Sequence, residues 1–347
     1  MRWFTFWGNV PGELPIRSTM KVLVLNNHQI RELLPMTDCI DLMADALSAL
    51  ARGEVFQPLR TIVRPPEARG LLGLMPAFRA GEHGAFGLKA ICVFPENPTK
   101  GKDAHQGAVM LFSRETGELL ALMNASEITA IRTAAVSAVA TRLLARKDAT
   151  ELGIIGAGVQ ARTHLTSLAA VRQISRARVA ARNIQHAEQL AREMQPKFSF
   201  PIVPVQTNEH AVRSADLIVT ATSSLEPVIN KDWVSPGAHI NAIGTHSPNS
   251  REIDSATMAV SRIFVDRRES ALNESGDYLL AAKEGLVSPE SIAGEIGELL
   301  IGGKSGRTSA TEITLFKSLG LAIEDVVSAD YVYRKALSQD TGTWADF

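Results

Sequence analysis

One short segment of this 347-residue chain constrains its fold more than any other. Leu152-Gly153-Ile154-Ile155 runs directly into Gly156-Ala157-Gly158-Val159-Gln160-Ala161 and then into helical sequence. Small residues are needed there for separate reasons. Gly156 permits a tight turn, Gly158 lets the backbone approach a pyrophosphate, and Ala161 lets the helix pack close to the strand. The helix start adds free N–H groups and the positive end of a dipole. Around this loop, apolar strands expected at 151–155, 177–181, 202–205, 217–221, 239–243 and 263–266 alternate with helices expected at 160–171, 184–194 and 209–213. That alternation predicts an α/β Rossmann unit with a doubly wound parallel sheet. Alone, Gly-x-Gly-x-x-Ala often marks only a turn; here it predicts a dinucleotide site made by Gly156, Gly158, Val159 and Gln160.

The choice of dinucleotide is read at the end of the next strand. Enzymes that use NAD usually place Asp or Glu there for the ribose 2′-hydroxyl. This chain has Ala180-Ala181-Arg182-Asn183 and no acid. A guanidinium suits a 2′-phosphate through charge-assisted hydrogen bonds, whereas a surface arginine is otherwise merely solvated. Arg182 and Asn183 therefore point to NADP(H), with NAD(H) as the alternative.

The rest of the chain supplies a second unit. A helix is expected at 36–52, with Thr37 as its N-cap and Gly53 just past its end. Strands follow at 59–63, 71–75, 86–94 and 108–113, separated by Gly- and Pro-rich turns, which suggests an antiparallel or mixed sheet. Ile128, Ile131, Ala135, Val136, Val139 and Leu143 recur at helical spacing and predict a long amphipathic helix to about 145. A last helical segment, 313–337, lies beyond the parallel unit and is expected to pack back on the first one. The expected division is therefore discontinuous: 20–128 with 319–347 as an α+β substrate-binding and dimerisation domain, and 129–318 as the inserted dinucleotide-binding domain. Residues 1–19 hold Trp3, Phe4, Phe6 and Trp7 before a strand-like Met20-Lys21-Val22-Leu23, and read as an N-terminal extension.

Composition narrows the partners. The formal net charge is −1 with no block of one sign, which gives no support to nucleic-acid or membrane-surface binding. No apolar run approaches the roughly 18 residues of a membrane span. Two cysteines, Cys39 and Cys92, fit a reducing cytoplasm rather than a disulfide framework. The histidines show no metal-binding spacing, so no metal site is expected.

Cations stand where a core should be. Arg132 lies within the apolar stripe, four residues from Ile128 and from Val136, and Lys89 shares a strand face with Gly87, Ile91 and Val93. A buried cation is costly unless an anion pairs with it. A structural carboxylate, a cofactor phosphate or a substrate carboxylate would each serve. The residues around Arg60 read instead as a solvated face, because Arg64 shares it.

With these residues in view, the chain from about 20 to 336 resembles the ornithine cyclodeaminase/mu-crystallin family. The resemblance rests on Pro58-x-Arg60, Met75-Pro76, Gly87-x-Lys89, Thr116-Gly117, Ile128-Thr129-Ala130-x-Arg132-Thr133-Ala134-Ala135, Gly156-x-Gly158-x-Gln160-Ala161, Asn241-Ala242-Ile243-Gly244 and Phe316-Lys317-Ser318-x-Gly320. It implies a homodimer formed through the first domain's sheet. It implies that Arg60, Lys89 and Arg132 hold a substrate carboxylate, with Arg132 also near the cofactor. Ser318 and Leu319 would lie by the nicotinamide, and Thr222 on the cofactor wall. His105 matches a position near the active site.

One departure shapes the expected chemistry. Ornithine cyclodeaminases carry a catalytic aspartate where this chain has His246. An imine already has an electrophilic carbon, so a reductase asks less of that position. His246 then either polarises or protonates the imine nitrogen, its unperturbed pKa being near neutral, or is a hydrogen-bonded loop residue. The expectation is an NADPH-dependent reductase of cyclic ketimine carboxylates, Δ1-pyrroline-2-carboxylate or Δ1-piperideine-2-carboxylate, yielding L-proline or L-pipecolate with Lys89 and His246 catalytic. The alternatives are ornithine cyclodeaminase, an amino-acid dehydrogenase, or a mu-crystallin-like binding protein.

Overall fold

The computed structural model describes residues 20–81 and 84–347; the expected extension at 1–19 lies outside them. Seven strands from Lys21–Asn124 and one from the C-terminal end build an eight-stranded sheet. Its order is Thr343–Asp346, Lys21–Leu25, Leu119–Asn124, His105–Phe112, Ala85–Val93, Leu71–Arg79 and Val55–Phe56, with Thr61–Val63 also pairing to Leu71–Arg79. Only Lys21–Leu25 and Leu119–Asn124 run parallel, so the sheet is mixed. Alternation along Ala85–Val93 buries Ala85, Gly87, Lys89 and Ile91 and turns Phe86, Leu88 and Ala90 outward. The inner face carries the helices Ala125–Leu144 and Ala322–Ser338, and Met36–Ala51 packs against both.

Two helix expectations need correction. Met36–Ala51 ends as expected, with Gly53 at φ +76°, but its N-cap is Pro35 and Thr37 donates to Asp38 instead of capping. Ala125–Leu144 is not amphipathic: every residue from Ala130 to Thr141 is buried. The helix lies between the two sheets, touching His105–Phe112 on one side and His239–Ala242 on the other. Its many alanines allow that close fit.

The second sheet has eight strands, all parallel, in the order Ile202–Val205, Arg176–Ala180, Glu151–Ile155, Leu217–Thr220, His239–Ala242, Ile313–Lys317, Ser261–Val265 and Ile292–Glu295. Six of them fall within two residues of expectation. The segment 313–337 does not: Ile313–Lys317 is a strand inside this sheet, and the helix begins only at Ala322. Periodicity cannot separate a five-residue apolar run from a helical turn. The break is Gly320, held at φ +75° between strand and helix. Phe316 and Phe264 are fully buried at the junction of the two sheets, in one core with Ile40, Met43 and Val136.

This topology places the site. The strand order reverses between Glu151–Ile155 and Leu217–Thr220, so a crevice opens beyond their C-terminal ends. The turns after His239–Ala242 and Ile313–Lys317 reach the same side, opposite the buried face that carries Lys89.

Candidate active site

The glycine loop is strained for a purpose. Gly156 has φ +111°, and a Cβ there would stand 2.4 Å from the Ala221 carbonyl, so only glycine fits between the two strand ends. At Gly158 a Cβ would meet nothing within 4 Å, so the loop faces open space. Val159 begins the following helix and is exposed, while Gln160 Oε1 is buried without a donor among the described residues. Arg162 ties the loop down, donating to the carbonyls of Ala157 (2.6 Å) and Gly158 (3.1 Å) while its other edge pairs with Glu193. Arg182 is exposed and forms no salt bridge among the described residues. Asn183 is partly committed elsewhere, because its side chain caps Ile184–Met194 by accepting the Gln185 N–H at 3.0 Å.

Buried acids hold the cofactor-side wall. Glu252 accepts from Thr222 N (2.7 Å), Thr222 Oγ1 (2.7 Å), Thr220 Oγ1 (2.8 Å) and Gly244 N (2.7 Å). Asp266 accepts from the N–H groups of Leu319 (2.6 Å), Gly320 (2.7 Å) and Arg267 (2.8 Å), which fixes the turn through Ser318 and Leu319. Ser318 Oγ is buried there without a partner among the described residues. Orphaned polar atoms at Gln160 and Ser318, the open space at Gly158 and the free helix start all fit a dinucleotide.

The three expected substrate cations converge, and each is already paired. Arg132 donates from Nη1 to Glu324 (2.7 Å) and from Nε to Asp325 (3.2 Å). Lys89 Nζ lies 2.7 Å from Asp325 Oδ2. Burial lowers the Lys89 pKa to about 8, against the pull of Asp325. Arg60 is not on a solvated face, as its neighbours in sequence suggested. Arg64 is exposed, whereas Arg60 is only 15% exposed and crosses to the parallel sheet. Its Nε stands 3.0 Å from Glu274, and its Nη2 donates to the carbonyls of Leu319 (2.8 Å) and Gly320 (2.9 Å). Only Nη1 of Arg60 and Nη2 of Arg132 are left without a partner among the described residues.

His105 and His246 are exposed, and His246 lies near enough to His105, Arg60 and Arg132 to feel their charge. Desolvation by the cleft walls, then Lys317, Arg60, His105 and Arg132, hold the His246 pKa well below the ordinary imidazole value. Desolvation, with Lys89 and Arg132, lowers His105 in the same direction. Both shifts favour the neutral imidazole, although both residues keep solvent-exposed surface.

A model of the ornithine cyclodeaminase/mu-crystallin family matches residues 20–340. The chain belongs to that family. It is 40% identical over 281 residues to the ketimine reductase mu-crystallin of Mus musculus, covering 81% of this chain and 85% of that one. Among solved structures, the Thermococcus litoralis Δ1-pyrroline-2-carboxylate reductase, in complex with NADH and L-proline, superposes with a TM-score of 0.91 at 40% identity, over 93% of this chain and 99% of that one. An archaeal alanine dehydrogenase dimer with bound NAD gives 0.89 at 34%, over 94% of this chain and 100% of that one. Family membership and the α/β fold with its Rossmann sheet agree with the sequence reading.

Several site residues escaped that reading. Lys317, 1% exposed, pairs with Asp277 Oδ2 (2.8 Å) and donates to the Thr245 carbonyl (2.8 Å). Asp277 in turn accepts from Thr245 Oγ1 (3.0 Å) and from the N–H groups of Glu252 (2.7 Å) and Ile253 (2.9 Å). Burial alone would raise the Asp277 carboxyl, but Lys317 and these donors hold it below the usual range. The pair ties the residue before His246 to the residue before Ser318. The signal was available: a lysine ending the apolar run Ile313–Lys317 is as misplaced as Arg132. The carboxylates gave no comparable signal: Glu324 and Asp325 begin a helix, where acids read as ordinary dipole partners, and Glu274 closes the short polar helix Arg268–Glu274.

Proposed function

We propose that this protein is an NADPH-dependent reductase of cyclic ketimine carboxylates, acting on Δ1-pyrroline-2-carboxylate or Δ1-piperideine-2-carboxylate. The observation that carries the reading is the convergence of Arg60, Lys89 and Arg132 on one cleft beside the Ser318 turn. The 40% identity to relatives named for imine reduction supports it.

Gly156, Gly158, Val159, Gln160, Thr222, Ser318 and Leu319 would hold the dinucleotide, with Arg182 and Asn183 on a 2′-phosphate. When bound, NADPH supplies the hydride for the imine carbon. Arg60 Nη1 and Arg132 Nη2, the unpartnered nitrogens, would orient the substrate carboxylate, each by a charge-assisted hydrogen bond. Lys89 completes the anion site and carries a proton for the ring nitrogen, since a pKa near 8 lets it give up that proton near neutral pH. His246, whose surroundings favour the neutral imidazole, would hydrogen-bond the ring nitrogen, and His105 flanks it. The buried walls exclude water, which strengthens each of these interactions.

The reading includes the two-domain division at 20–128 with 319–347 and at 129–318. It also includes a homodimer through the outward face of the first sheet, where Leu72, Leu74, Phe86, Leu88, Ala90, Met110 and Phe112 form an apolar surface without charge. The dimer of the archaeal relative supports this. Cys39 and Cys92 are free thiols, in keeping with a cytoplasmic location. No described helix is long and apolar enough to cross a membrane.

The test is NADPH oxidation by the pure, folded protein with each cyclic imine. No turnover with either would overturn the assignment. Ammonia release from ornithine without net cofactor change would instead favour the cyclodeaminase.

A further inference from the structure

We propose that Glu324 takes up a proton when the cleft takes up a carboxylate ligand, because both compete for the Arg132 guanidinium. This deepens the reading above and rests on its carboxylate substrate.

The charge balance of the cleft makes the case. Arg60, Lys89 and Arg132 are matched by four carboxyl groups, Glu274, Asp325, Glu324 and Asp266, all in contact with these cations or just behind them. The cluster therefore has no excess positive charge to offer an incoming anion. A further carboxylate enters at tolerable energy only if one of the four gives up its charge.

Geometry selects Glu324. It is fully buried, Arg132 is its one cationic partner, and its Oε1 has no donor among the described residues. Asp325 Oδ2 and Glu274 Oε2 also lack an aligned hydrogen-bond donor, but each lies against a cation, Lys89 at 2.7 Å and Arg60 at 3.0 Å, as Glu324 Oε1 does not. Asp266 accepts three backbone N–H groups, Asp325 touches both Lys89 and Arg132, and Glu274 is partly open to solvent. The groups facing Glu324 are Arg132 from Ala125–Leu144, Asp266 beyond Ser261–Val265, Asp325 from its own helix and the Cys39 thiol from Met36–Ala51. Burial, the largest influence, raises Glu324 to about 7, and Asp266 and Asp325 add to it against Arg132. A carboxylate ligand on Nη2 of Arg132 adds another like charge and pushes in the same direction. Lys89 already carries its proton at pH 7, so it contributes little.

Calorimetric titration of the NADP⁺-loaded protein with pyrrole-2-carboxylate, whose groups do not ionise near neutrality, reads the linkage directly. Run in buffers of different ionisation enthalpy, it should show uptake of about half a proton per site at pH 7, falling towards zero by pH 5.5. Glu324→Gln should bind the ligand with that uptake abolished. Uptake retained in Glu324→Gln would assign the proton to the cleft imidazoles and overturn the proposal. If that variant does not fold, the wild-type series decides: binding with no uptake at pH 7, or uptake that grows towards pH 5.5, overturns it. No binding of any carboxylate would overturn the substrate reading, and this proposal with it.

Discussion

Arg182 carries the most information per residue on the cofactor side. It is exposed and makes no salt bridge among the described residues, so its removal should leave folding untouched. Arg182→Ala should raise the NADPH Michaelis constant by about 10- to 100-fold, the loss of one charge-assisted contact worth roughly 1.5–3 kcal/mol, and leave that for NADH nearly unchanged. Steady-state kinetics with both cofactors check this; equal weakening would show that Arg182 does not meet the 2′-phosphate. Lys317 behaves in the opposite way. Lys317→Met strands a buried Asp277 and should cost about 3–5 kcal/mol, whereas Lys317→Met with Asp277→Asn should recover part of that loss, measured by denaturant unfolding. The rule that exposed Arg132 and Lys89 in the sequence, a cation where the pattern demands an apolar residue, applies equally to Lys317. Their partners are not visible by that rule. Glu324 lies 192 residues from Arg132 in the chain, and Glu274 meets Arg60 only because the two sheets pack together.

At the scale of elements, the parallel strands could be read from sequence because each is short, apolar and bounded by turn residues. The first sheet was read less fully. Leu119–Asn124 and Thr343–Asp346 are half-apolar edges or neighbours whose pairing depends on strands far away in the chain. Ile313–Lys317 reads as helix in sequence because a strand inserted between His239–Ala242 and Ser261–Val265 has no local signature. The glycine loop is the opposite case, since its conformation is dictated by the residues themselves. Gly156→Ala would have to hold a positive φ and displace the Ala221 carbonyl. It should destabilise the protein by about 1–3 kcal/mol and abolish NADPH binding, read by thermal unfolding and by cofactor fluorescence.

At the scale of the whole molecule, one core joins both sheets through Ala125–Leu144, Phe264 and Phe316. The outward face of the first sheet is the large apolar surface left uncovered, and Phe86 on it is 46% exposed. Light scattering should give a dimer for the wild type and a monomer for Phe86→Lys; a wild-type monomer at micromolar concentration would refute the dimer. The account as a whole stands on transfer of hydride to the carbon that bears the substrate carboxylate. Mass spectrometry of the product formed from Δ1-pyrroline-2-carboxylate and NADPH deuterated at the nicotinamide C4 tests this directly, with each face labelled in turn. The account predicts L-proline carrying one deuterium at its α-carbon from one of the two labelled cofactors. Oxidation of neither, or unlabelled proline from both, would contradict it.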